Sequence, residues 1–249
     1  EDCTLSTDEV PSGNLVFDVE NRGSQVTEFY LLADDGLRII GEVENIGPGI
    51  TRKLVVQAGQ GAYITACKPG MVGDGIRSDF TVTKGEALAV SADVQTLLDT
   101  ATAQYAAYVK DQTEQLLTQT EAFATAYLAG RDDEARGLYP RARTHWERIE
   151  PVAESFGDLD PRLDLREADL EAGQTWTGWH RIEKDLWPQK AEGYTPATPA
   201  ERKELADQLV ADTQELYDRT RTITFTADQL GNGAKELLDE VATGKVTGE

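Results

Sequence analysis

The chain has 249 residues, with 45 Asp and Glu against 24 Lys and Arg, for a formal net charge of −21. That sign opposes binding to nucleic acid or to an anionic membrane surface, and it suits a solvated surface that draws in cations. The 39% of hydrophobic residues is ample for packed cores, and the length fits one large domain or two ordinary ones. No apolar run is long enough to span a bilayer. No charged-then-apolar leader opens the sequence, which predicts a cytosolic chain or a mature secreted one.

Short alternating segments fill the first third. Leu15–Val19, Thr27–Leu32, Leu37–Val43, Thr51–Gln57, Gly61–Cys67 and Asp79–Thr83 read as strands. They are rich in β-branched and aromatic residues, and Gly, Asn and Asp punctuate them at Asn21-Arg22-Gly23, Asp34-Asp35-Gly36 and Asn45-Ile46-Gly47-Pro48-Gly49. That spacing predicts a β-sandwich or barrel.

After about Gly85 the texture turns Ala-, Glu-, Gln- and Leu-rich with helical periodicity. A long helix is expected over Val90–Leu128, capped by Gly130. A second covers Asp132–Ser155, with Pro140 and Pro151 as kinks or breaks. Asp160-Pro161 opens a short helix, Thr175–Trp187 is another, stopped by Pro188, and Thr198-Pro199 starts a long one to about Thr224. Asp228–Val241 is the last. The expectation is a multidomain β + α chain: a β domain over 1–86 and an antiparallel helical bundle over 90–249. The closing stretch Gly244–Glu249 holds no closing element, which predicts a bundle incomplete at its C-terminus.

The sharpest local motif is Gly178-Trp179-His180-Arg181-Ile182-Glu183. On a helix, His180 and Glu183 share a face, and an imidazole with a carboxylate there can bind one transition metal. The plain alternative is a histidine hydrogen-bonded to its neighbour, an arrangement that chance spacing often produces. Further carboxylates lie in Glu147, Glu150 and Glu154, which would line one face if the helix survives Pro151. Asp164, Glu167 and Asp169 add more, and a solvated face is the ordinary reading of all of these.

In the β region, Cys67 and Met71 form a Cys-Lys-Pro-Gly-Met loop of soft ligands suited to copper. There is no histidine before His145, so a blue-copper centre cannot form there. The equal alternative is a Cys3–Cys67 disulfide, which would indicate an oxidising compartment. No Walker loop, Gly-x-Ser-x-Gly, His-Glu-x-x-His or Gly-x-Gly-x-x-Gly occurs. Trp146, Trp176, Trp179 and Trp187 read as core or interface residues.

The Gly-x-His-x-x-Glu motif over Gly178–Glu183 resembles the signature of imelysin-like domains. Glu147–Glu154, Asp164–Asp169 and the final Lys245–Glu249 resemble neighbouring blocks in the same order. Glu44–Gly49 and Tyr63–Cys67 resemble a cupredoxin-like partner domain. Together these blocks resemble the EfeO family of bacterial iron-uptake components. The resemblance implies a cupredoxin-like β-sandwich followed by an imelysin-like bundle, placed in the periplasm or extracellular cell envelope. It implies a membrane iron permease and a haem peroxidase as partners.

It further implies iron, ferrous or ferric, bound by His180 and Glu183 with Glu150 and Glu154 beside them. The β domain would take an accessory metal or redox role through Cys3, Glu28, Cys67 and Met71, with copper or zinc as other metals such donors take. Glu28 stands where cupredoxins place a histidine, a departure that puts copper redox chemistry in doubt. Two other functions compete with iron transport. One is an imelysin-type metallopeptidase, although His-x-x-Glu supplies neither a two-histidine zinc pair nor a nucleophile. The other is cation-dependent polysaccharide binding, which the net charge opposes for an acidic sugar unless a cation bridges.

Overall fold

A computed structural model describes residues 2–71, 73–85, 91–170, 173–190 and 193–243. Seven strands come first: β1 (Glu9–Pro11), β2 (Gly13–Glu20), β3 (Thr27–Ala33), β4 (Ile39–Ile46), β5 (Thr51–Ala58), β6 (Gly61–Pro69) and β7 (Ile76–Thr83). Six α-helices follow: α1 (Ala92–Leu128), α2 (Asp132–Glu147), α3 (Leu159–Asp164), α4 (Gly178–Leu186), α5 (Pro199–Thr222) and α6 (Ala227–Thr243). The β-then-α class read from the sequence is the one observed. By their contacts the residues form two compact units. One gathers the chain up to Thr100 with the residues from Thr226 onward, and the other runs Ala101–Phe225.

In the first unit, a five-stranded sheet ordered β1-β7-β6-β3-β4 faces a two-stranded sheet of β2 and β5. All pairs are antiparallel except β1 with β7. The apolar half of each alternating strand points inward. Leu15, Phe29, Leu31, Ile46, Leu54, Val56, Phe80 and Val82 form one buried cluster between the sheets. Tyr30, Leu32 and Ala66, on the alternate positions, form a smaller cluster of their own. Helix α6 packs on β4 and β5, where the Asn232 amide donates to the Gln57 and Ile40 carbonyls and its oxygen accepts from the Gln57 N–H.

In the second unit, α4 packs against α2, α3 and α5. Trp146, Trp179, Phe123, Leu116, Leu163, Ile182 and Leu186 are fully buried there. The Trp179 ring lies 5.1 Å from Phe123 and 5.7 Å from Tyr139 between centroids. Helix α2 runs through Pro140 but stops at Glu147, and Glu150–Phe156 is a 3-10 helix. The continuous helical stripe expected through Glu147, Glu150 and Glu154 is therefore not formed. Pro151 has no N–H to give the Glu147 carbonyl, and in a continued α-helix its ring would clash with that carbonyl. Helix α5 opens as expected, with Thr198 and Glu201 in a reciprocal capping box and Pro199 at its first position.

Candidate metal centre in the helical unit

Helix α4 begins with a close backbone approach. Gly178 has φ 82°, and a Cβ there would stand 2.2 Å from the Leu163 carbonyl oxygen, so only glycine lets α4 rest on the end of α3. The Thr177 hydroxyl donates to the Arg162 carbonyl at 2.9 Å, and the Trp176 indole donates to the Leu165 carbonyl at 2.7 Å. These contacts bring His180, two residues into α4, against Asp164, the last residue of α3.

His180 Nδ1 donates to Glu183 Oε2 at 2.9 Å, as the i,i+3 spacing requires. A carboxylate only accepts, so Nδ1 carries the proton, and in the neutral ring Nε2 is the bare nitrogen that a metal takes. Nε2 is buried without a hydrogen-bond partner and faces Asp164 Oδ1 at 3.5 Å. The Tyr139 hydroxyl donates to the same Glu183 oxygen at 2.9 Å, and the Trp146 indole donates to Asp164 Oδ2 at 2.8 Å. Each carboxylate is thus held in place by a second, rigid donor.

Arg143 fills the middle of this group. Its guanidinium forks onto both oxygens of Asp164, one contact at 3.2 Å and the other shorter, and also donates to Glu147. Burial pushes the Glu183 carboxyl up, but the hydrogen bonds from His180 and Tyr139 and the charge of Arg143 outweigh it, leaving it below the ordinary range. Glu150 goes the other way. Burial, then the Glu147 charge, a hydrogen bond to Glu147 and the Asp164 charge push it up to about 8, with Arg143 opposing. Glu150 therefore holds its proton more readily than an ordinary carboxyl.

The structure brings His180, Glu183 and Glu150 into one neighbourhood, while the side chain of Glu154 lies outside the described residues. Asp164, Glu147, Arg143 and Tyr139 join them, and the sequence reading did not single out these four as a set. Tyr139, Arg143 and Glu147 repeat at every fourth residue of α2, so one helical face carries all three. Among the described residues, no three His, Cys, Asp or Glu side chains stand close enough to hold a metal as they are placed. Arg143 pairs with Asp164, the carboxylate that faces His180.

The candidate residues of the β unit separate. Cys3 and Cys67 are joined in a disulfide, so neither sulfur is a thiolate in this form. Cys67 pairs in register with Phe29 and packs on the inter-sheet core. Glu28 belongs to the alternate face, where it is buried and accepts a 2.7 Å bond from Tyr30. The strand pleat sends successive side chains to opposite faces, so the structure does not form a shared site of Cys3, Glu28 and Cys67. Met71 lies in the turn after β6 with φ 60°.

The sequence pattern of one family, described as Imelysin, matches residues 101–249, which takes in all of this helical centre. The chain belongs to the imelysin family. Over nearly its whole length this imelysin chain is also similar to proteins named iron uptake system component EfeO. It is 37% identical over 243 residues to the one from Yersinia pseudotuberculosis, covering 96% of this chain and 62% of that protein. It is 36% identical to the one from Escherichia coli O157:H7 and 35% to the one from Shigella flexneri, each over 252 positions, covering 99% of this chain and 64% of the relative. The imelysin chain thus spans less than two thirds of the length of these curated relatives, and the EfeO resemblance read from its motifs is the one the comparisons support. The terminal block Lys245–Glu249 lies outside the described residues.

Proposed function

We propose that the chain is the metal-binding part of a bacterial iron-uptake component, that His180 and Asp164 hold the iron, and that Glu183 serves the site by fixing His180 through Nδ1. The observation that carries this is the buried, partnerless Nε2 of His180 facing Asp164 while Nδ1 is fixed by Glu183. An imidazole set among carboxylates favours borderline and hard cations, and both states of iron fall in that range. Glu147 and Glu150 stand beside the set as further oxygen donors, with Glu150 available once deprotonated. Glu154 belongs to the same proposal through its sequence block. Similarity to proteins named iron uptake system component EfeO supports iron as the cargo, and the disulfide, the form cysteines take in an oxidising compartment, supports an extracytoplasmic place of work. The permease and haem peroxidase partners, and an accessory cupredoxin-like role for the β unit, are part of this proposal.

The test is calorimetric titration with ferrous iron (anaerobically), ferric iron, copper and zinc, on wild type and on His180→Ala/Glu183→Ala. We expect one tight site that the double variant loses by at least about a hundredfold, since removing ligands and their orienting partners costs 10–100-fold each. Unchanged binding in the double variant would reduce the His180–Glu183 pair to a structural hydrogen bond.

A further inference from the structure

We infer that Arg143 is a resident cation that competes with the metal for Asp164, so that loading the site means displacing its guanidinium. This rests on the reading of His180 and Asp164 as the metal's donors, with Glu183 fixing His180. The oxygen of Asp164 nearest the bare nitrogen of His180 is Oδ1, and it is Oδ1 that one arm of the guanidinium takes. The other arm reaches Asp164 Oδ2 and Glu147. The fork therefore holds the carboxylate facing His180 and pairs two of the carboxylates at once.

Charge explains why a cation has to be there. Asp164 and the Arg143 side chain are only 13% and 11% exposed. Ionised Asp164, Glu147 and Glu183 crowded there without a cation would repel and would leave Asp164 buried and unpaired. A divalent or trivalent ion can do the same work more strongly. The two cations are then alternatives: the metal-free site is kept intact by Arg143, and the loaded site releases it. Arginine suits this better than lysine. Its planar fork spans two carboxylate oxygens, and it keeps its charge at any physiological pH, so a competing cation rather than a change of pH must move it. The outcome is a site that holds metal less tightly than its donors alone would, as a carrier that must deliver its cargo requires.

The experiment measures ferrous iron (anaerobic) and zinc, each added as the metal alone, against wild type, Arg143→Gln, Arg143→Lys and His180→Ala. Folding of each is checked by circular dichroism. Arg143→Gln should bind at least about tenfold more tightly, roughly 1.4 kcal/mol, and should give up metal to a chelator more slowly. Arg143→Lys, which keeps the charge, should stay within about threefold of wild type. Equal or weaker binding by Arg143→Gln, with His180→Ala still losing the site, overturns the inference and makes Arg143 a support for Asp164. If neither wild type nor Arg143→Gln binds metal, the reading of the site itself falls. Should Arg143→Gln not fold, the metal-loaded crystal structure of wild type decides: the guanidinium off Asp164 is expected, and a guanidinium still seated there with metal bound overturns the inference.

Discussion

At the scale of single residues, Gly178 shows how a signature glycine serves a site it never touches. Its left-handed backbone and the 2.2 Å approach to the Leu163 carbonyl mean that Gly178→Ala must move α4 off α3. Strained left-handed backbone at a non-glycine costs on the order of 1–3 kcal/mol, and the carbonyl clash adds to it. We therefore expect about 2 kcal/mol or more of destabilisation by urea unfolding, together with weakened metal binding as His180 withdraws from Asp164. Full stability in the variant would show that the approach can relax. His145 gives a pH-dependent prediction. Burial and then the Arg148 guanidinium hold its imidazole below the ordinary histidine value, with Asp111 opposing, and Nδ1 lies 2.8 Å from the Gln112 side-chain oxygen. Because the folded value is the lower one, the unfolded chain takes up the proton first as pH falls. Stability from this group is present above the unfolded value of about 6.5 and is lost below it. Unfolding curves at pH 7.5, 6.5 and 5.5 should fall less steeply for His145→Gln than for wild type, and equal slopes would remove His145 from the account.

At the scale of elements, what could be read from the chain was whatever is local. Turn residues delimited β2 to β7, and Thr198, Pro199 and Glu201 announced the start of α5, because caps and turns are contacts within a few residues. Strand β1 escaped notice because its three residues become a strand only by pairing in parallel with β7, some seventy positions away. The His180–Glu183 pair was legible for the same reason as the caps: three residues on a helix set its distance. Asp164 and Arg143 were not, since their meeting depends on α2, α3 and α4 packing together. The fourfold repeat of Tyr139, Arg143 and Glu147 was there to be read. Its meaning needed the neighbouring helix, because an Arg–Glu pair at that spacing is ordinarily a solvated ion pair. Along β3, apolar and buried on both faces, it is the strand pleat that separates Glu28 from Phe29 and hence from Cys67.

At the scale of the whole chain, the cross-link and the candidate metal centre lie in different units. The Cys3–Cys67 bond closes a separation of 64 residues within the β unit. The centre lies on α2, α3 and α4. Closing a loop of that length removes unfolded-state entropy worth roughly 4 kcal/mol in the chain-entropy picture. Reduction with a phosphine, or Cys3→Ser/Cys67→Ser, should therefore lower the stability of the β unit by about 2–4 kcal/mol. Zinc binding measured by calorimetry on the still-folded chain should change by less than about twofold. The two cysteines also allow a competing result. Freed thiolates are soft ligands, and if reduction created a second tight site for zinc or cuprous copper, the Cys67 and Met71 reading would hold for the reduced chain. Loss of the His180 site on reduction would instead mean that the helical centre depends on the β unit's integrity.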